Sequence, residues 1–185
     1  MNLKKIIDEI NKDIDDDLDN DILTGWINRA LDDLTPYARY KKKTTINVLT
    51  GVTDYTLPSD LLDVEIVGEN IPRLPLNDFN HVGYKVLGNA LTLQPEPTDD
   101  YTMDVIYNAT LPYLVNNEDV PAIPSNFHNL LILYVIAKFK YQDEELGFQS
   151  NAMQEYERKK QDFIRYINRQ NQPLKIRDVY NMRWC

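Results

Sequence analysis

The chain has 185 residues, 43% of them hydrophobic, and a formal net charge of −9. That length and apolar share fit one compact domain with an appended arm, and the acidity argues against a protein that grips nucleic acid by neutralising phosphates. The single cysteine, Cys185, permits no internal disulfide and no multi-cysteine zinc site.

Lysines and acids interrupt the apolar spacing of the first 17 residues, which a secretory signal does not tolerate, so a cytoplasmic product is expected. Within that stretch Leu3, Ile6, Ile7, Ile10, Ile14 and Leu18 recur at three-to-four spacing and predict a first amphipathic helix, weakened in its second half by the aspartates from Asp13 onward. Asn20 or Asp21 is placed to cap a second helix. There Ile22, Leu23, Trp26, Ile27, Ala30, Leu31 and Leu34 form one broad apolar face ahead of Pro36. Gly25 inside it costs roughly 1 kcal/mol of helix propensity, and close approach of another backbone is one use for such a residue.

Beyond Tyr40 and the lysines Lys41, Lys42 and Lys43 the period drops to two, with Ile46 and Val48 alternating against Thr45 and Asn47. Residues 51–54 read as a turn into a short strand at 55–57, which Pro58 closes, and Leu62, Val64 and Ile66 alternate in the next. One helical turn is expected at 78–82. Leu87-Gly88-Asn89-Ala90 is the clearest hairpin signal, since Gly-Asn accepts the positive φ of a tight turn between strands at 84–87 and 90–94. Met103, Val105 and Tyr107 mark a further strand. About five or six such short strands, with no long helix between them, predict an antiparallel meander or small barrel.

Residues 109–123 read as a connector in which prolines exclude continuous helix. Residues 124–145, PSNFHNLLILYVIAKFKYQDEE, then give the most apolar helical signal in the chain. Residues 130–137 are apolar on every face, which requires cover nearly all round from the domain itself, from neighbouring subunits or from both. The run is too short to span a membrane. Gly147 is expected to break the chain, and Ala152, Tyr156, Phe163 and Ile167 predict an amphipathic partner over about 148–170, making an antiparallel helical hairpin. The fold class expected is therefore α+β. A helical bundle, formed by N-terminal helices at about 3–40 and the hairpin at about 124–170, carries an inserted β meander or barrel at about 44–108. All of this is one domain, 1–172, followed by an extended arm, 173–185.

Few residue patterns suggest chemistry. Asp13, Asp15, Asp16, Asp17, Asp19 and Asp21 place alternate aspartates as an EF-hand loop does, but counted from Asp15 the sixth position is Asn20 instead of glycine and the twelfth is Trp26 instead of glutamate. A solvated charge run is the expectation, with no metal and no cofactor. His81 and His128 stand alone, without a second histidine or cysteine at ligand spacing, and His128 reads as a helix-start residue. Serines lack a nucleophile elbow and glycines form no phosphate loop, so no catalytic residue is assigned. Arg39 with Lys41, Lys42 and Lys43 is the one concentrated basic patch, open to DNA or an acidic partner, or else a solvated helix-to-strand junction. Tyr55, Tyr107, Tyr134 and Tyr156 sit at apolar periodic positions where core or subunit packing is expected. In the arm, Leu174, Ile176, Val179, Tyr180 and Trp184 offer apolar anchors and Lys175, Arg177 and Arg183 offer charge.

Several segments in order carry a resemblance: WINRALDDL at 26–34, YTLPSDLLDV at 55–64, NALTLQPEP at 89–97, and IPSNFHNLLILYVIAKFKYQDEE at 123–145 with the tyrosine-bearing helix after it. From residue 22 to about 170 the chain resembles the head-to-tail adaptor, or connector, proteins of tailed bacteriophages. The resemblance implies a structural virion protein of the neck, assembled in the host cytoplasm. It implies a ring, commonly of twelve copies, that docks beneath the portal protein, extends the DNA channel and meets downstream tail or neck proteins. DNA would pass without specific binding, and no membrane is involved. It implies no active-site residues, and it suggests that the arm reaches the portal or a neighbouring subunit. A stopper or tail-proximal connector is the neighbouring alternative. A metal-dependent hydrolase using Asp15, Asp17 and Asp19 and a monomeric binding module are the alternatives from other classes.

Overall fold

The computed structural model describes residues 1–14, 18–142 and 146–171, and only the backbone at 141–142 and 146–150. The fold is α+β, with four helices and two small antiparallel sheets. Helix α1, Leu3–Asp13, is capped by Asn2, whose side chain accepts from the Lys5 amide at 3.2 Å. Its first free amides also find partners: Leu3 and Lys4 donate to the carbonyls of Asp119 and Asn117 at 2.8 and 3.0 Å. The expected connector therefore serves as the end-cap of α1, and its Leu111, Leu114 and Ile123 are buried in the helical core.

Helix α2, Asn20–Ala38, begins one residue earlier than expected, with Asp19 as the cap accepting from the Asp21 amide at 3.1 Å. It also runs through Pro36. Proline's fixed φ is helical, the one ladder bond lost is to the Asp32 carbonyl, and the helix continues only two residues further. Arg39, in the left-handed region at φ 46°, ends it. Gly25 corrects another expectation: it is exposed and has no atom of another element near where a Cβ would sit.

A 3₁₀ turn, Ser125–Phe127, leads into α3, Asn129–Gln142, which is followed by α4, Leu146–Gln170. Gly147, expected to break the chain, lies in the first turn of α4 instead. The two helices are antiparallel: Phe127 packs on Phe163 and Tyr166, and Tyr134 packs on Tyr156 further along. Leu130, Leu131, Ile132, Val135, Ile136 and Ala137 are buried, as the all-round apolar run requires, while Leu133 and Tyr134 on the remaining face are half-buried. These side chains share one core with Ile6, Ile10, Leu23, Ile27, Leu31 and Phe163. Each large side chain fully covered contributes roughly 1.5–3 kcal/mol.

The β region is neither a meander nor a single barrel. Strands β1 (Tyr40–Val48), β2 (Asp54–Thr56), β3 (Leu61–Val67), β4 (Gly83–Leu87), β5 (Ala90–Gln94) and β6 (Tyr101–Ala109) form two three-stranded sheets, ordered β1-β6-β3 and β2-β5-β4. The last strand lies in the middle of the first sheet, a long-range pairing that local periodicity does not encode. Ile46, Val48, Val64, Val67, Met103 and Val105 from that sheet meet Leu57, Tyr84, Leu91 and Leu93 in a second core. The expected hairpin at 87–90 is present, with Gly88 at φ 57°. Residues 78–82 do not form the expected helical turn. The Asp78 carboxylate accepts from the amides of Asn80 and His81 at 3.0 and 3.2 Å, which favours a tight bend over a helix. Segment 72–74 covers the outer edge of β4 through Tyr84 N to Pro72 O at 3.0 Å and Leu74 N to Tyr84 O at 2.7 Å. Gly83 permits that approach, since a Cβ there would lie 2.5 Å from the Pro72 carbonyl oxygen.

Candidate interaction surfaces

The basic patch lies where α2 passes into β1, with Arg39 capping the helix and the lysines Lys41, Lys42 and Lys43 in the first half of the strand, which pairs from Tyr40 onward. Alternation sends Lys41 and Lys43 to the outer face, where they reach Glu65 and Asp104 at 2.8 Å each. Lys42 faces the other way and pairs with Asp60 at 2.7 Å. Asp60 also accepts from the Tyr107 hydroxyl at 3.1 Å, and the lysine hydrogen bond holds its carboxyl below the usual range. Each lysine of the run thus has an acid opposite it, which weakens the field this patch presents to phosphate. Arg39 is exposed at the end of α2.

A second polar cluster, not foreseen from the sequence, joins α2 to α4. Asp33 accepts from the Tyr156 hydroxyl and, at 2.7 Å, from the Lys160 ammonium. Lys160 is almost wholly buried and lies 5.3 and 5.8 Å from the ring centres of Tyr37 and Tyr156. Burial first, then the bond to Asp33, drives the Tyr156 phenol far above its ordinary value. The signal was Tyr156 and Lys160 one helical turn apart on the apolar side of α4. The cluster reads as a bond between helices.

His128 is buried between the 3₁₀ turn and α3, at the helix start as expected. Its Nδ1 lies 2.8 Å from the Met1 ammonium and its Nε2 lies 3.1 Å from the Ile123 carbonyl oxygen. Nδ1 is therefore the acceptor and Nε2 the donor of a neutral ring. Burial holds its pKa below the ordinary imidazole value, with the ammonium acting in the same direction. His81 is exposed and bonds to Asp78 at 2.8 Å. Tyr107 and Tyr156 are core residues, whereas Tyr55 is half-buried and donates to the Val52 carbonyl at 2.6 Å.

Of the aspartate run, Asp13 ends α1 and Asp19 caps α2, while residues 15–17 lie outside the described residues. Among the described residues no group of three or more histidine, cysteine or acidic side chains could hold a metal, and no helix is long and apolar enough to cross a membrane. The predicted contact residues of the arm, Leu174 to Trp184, also lie outside the described residues.

Several large apolar side chains are exposed. On the helical body Tyr113, Val115 and Val120 of the connector and Ile22 of α2 are exposed. On the β unit Leu76, Phe79, Val82 and Leu87 are 55–77% exposed within twelve residues. Those of the connector and of residues 76–82 escape periodicity because they sit in loops, where large apolar residues among prolines and asparagines at 72–80 were a readable sign, whereas Ile22 lies in α2 and Leu87 ends β4.

The fold thus has two cores, polar clusters that bond its elements together and apolar side chains left outside. The sequence matches the family model described as SU10 adaptor protein over residues 1–177, and the chain belongs to that family of phage structural adaptors. Its place is accordingly in the virion, in association with other head–tail proteins. No protein of curated function matches the sequence.

Proposed function

We propose that the chain is a head-to-tail adaptor of the phage neck, one copy of a ring that docks on the portal and extends the DNA channel toward the tail. The observation that carries this reading is the family match, which spans the helical body and the β unit together. The exposed apolar groups on both parts supply what a ring subunit needs, surfaces to bury against neighbours above, below and beside it. The net charge of −9 and the acid opposite each lysine of β1 suit a channel through which DNA slides without being held. Twelve copies is the ring size the resemblance implies. The arm, through Leu174, Lys175, Ile176, Arg177, Val179, Tyr180, Arg183 and Trp184, contacts the portal or an adjacent copy.

The test is to mix the purified chain with purified portal rings and image the product by negative stain. An added ring seated coaxially on the portal is the expected result. A chain that leaves portal rings bare but binds them once another neck protein is present is a stopper or tail-proximal connector. One that remains monomeric and binds neither is not a neck component.

A further inference from the structure

Two hollows meet at the end of the β unit farthest from the helices. One, of about 310 Å³, is lined by Ile71, Val82, Leu93, Pro95, Pro97 and Tyr101 among others, with Glu96 and Asp99 at its rim. The second, of about 450 Å³, shares Ile71 and Tyr101 and adds Glu69 and Asp104. No basic residue lines either hollow. Among the described residues Asp104 is ion-paired, to Lys43, whereas Glu69, Glu96 and Asp99 make no ion pair. Val82 is 69% and Tyr101 45% exposed, so the groove offers exposed apolar side chains beside three acids, Glu69, Glu96 and Asp99, that have no ion-pair partner among the described residues. The segment that fits it combines large apolar side chains with basic ones.

Residues 173–185, PLKIRDVYNMRWC, have that chemistry, with three basic residues against one aspartate and six large apolar side chains. They also start on the right side of the molecule. Lys160 is level with Tyr37 near the end of α2, and ten more residues of α4, roughly 15 Å of helix, run on before Gln170. The groove lies some six strand residues beyond Ala109, roughly 20 Å along β6, and fourteen extended residues reach roughly 46 Å. Resting on the ring reading above, we propose that the groove of each copy receives the 173–185 segment of the neighbouring copy. Groove and segment are different surfaces of one chain, and pairing them from copy to copy is the head-to-tail contact that closes a ring.

Cys185, the only cysteine, allows the test on the full chain. A benzophenone attached there is photolysed in a mixture of ¹⁴N- and ¹⁵N-labelled protein, and the crosslinked peptides are read by mass spectrometry while the assembled mass is measured separately. Crosslinks between isotopically different copies, mapping to residues 69–71 and 95–101, are expected. Glu96→Lys with Asp99→Lys should cut their yield about tenfold, the effect of losing about 1.4 kcal/mol, and Lys175→Glu with Arg177→Glu in the labelled chain should restore it. Crosslinks confined to one copy, crosslinks mapping elsewhere, absence of crosslinks, or a yield indifferent to the charge reversals would each overturn the proposal. Rings on the portal without groove crosslinks sink this contact and leave the ring reading standing. Groove crosslinks between copies that never close into rings do the reverse.

Discussion

The bond between α2 and α4 makes an asymmetric prediction. Lys160 has an 11% exposed side chain and Asp33 a 37% exposed one, so the cation depends on the pair more than the anion does. Asp33→Ala removes the acceptor of both Lys160 and the Tyr156 hydroxyl, leaving a charge and a hydroxyl in the core without it. Breaking a buried pair costs about 3–5 kcal/mol, and because Asp33 is more than a third exposed the solvent-discounted cost is about 2–3 kcal/mol. Lys160→Met keeps the apolar stem against Tyr37 and leaves a carboxylate that water and Tyr156 still solvate, at a cost of about 1 kcal/mol or less. The double variant should then be more stable than Asp33→Ala alone, because the stranded ammonium has gone. Urea denaturation of the three variants and the parent, run as a double-mutant cycle, measures this. If Asp33→Ala costs no more than Lys160→Met, or the double variant shows the sum of the single losses, the buried charge is not what the pair controls.

Val135→Asp, at a wholly buried position of α3, should leave the chain unfolded or insoluble on expression, as should Ile132→Asp; normal melting of either would contradict the core assignment. Gly25→Ala should raise stability by about 0.5–1 kcal/mol, since the site is open, whereas Gly83→Ala should lower it by about 1–3 kcal/mol through the clash with Pro72; thermal melting decides both signs. The His128 pKa lies below the ordinary 6.5, so below pH 6.5 the unfolded chain binds a proton that the folded chain resists. Stability should therefore be full above that value and fall as pH drops below it, and His128→Asn should flatten this part of a denaturation-versus-pH curve. Asp60, Asp104 and Asp119, whose folded values lie below 3.8, should add a separate loss that appears only as pH falls through that more acidic range.

The helices were legible because their burial is periodic: Ile6, Ile10, Leu23, Ile27, Tyr156 and Phe163 recur every three or four residues and share one core. Their limits were less so. Pro36 and Gly147 carry local signals against helix, yet each is tolerated within a turn of a helix end, where few ladder bonds are at stake. In the β unit the strands were found and their arrangement was not, since β6 finds β1 and β3 across more than thirty intervening residues. Lys42 shows the same limit at one residue. Its type says surface, but strand alternation turns it toward Asp60 and Tyr107, acceptor and neighbour supplied by distant parts of the chain. The exposed Phe79 and Val82 lay outside any period, and the prolines and asparagines around Phe79 were the one local sign that it belongs to a loop.

Tyr40 and Ala109 face each other across the first rung of the β1–β6 ladder, so the chain leaves the helices and returns to them at one point. Their Cα atoms are separated by roughly 5 Å, a gap that a two-residue turn closes. The 68 residues between are thus a cassette plugged into a helical socket, with a core of their own. Replacing residues 41–108 by Asn-Gly should leave the helices assembled, because Thr35 still receives the Leu111 amide and Leu111 and Leu114 still lie in the helical core. The socket can in this way be kept while the cassette is exchanged, which separates the part of the chain that fixes the helical fold from the part free to change the surface it presents.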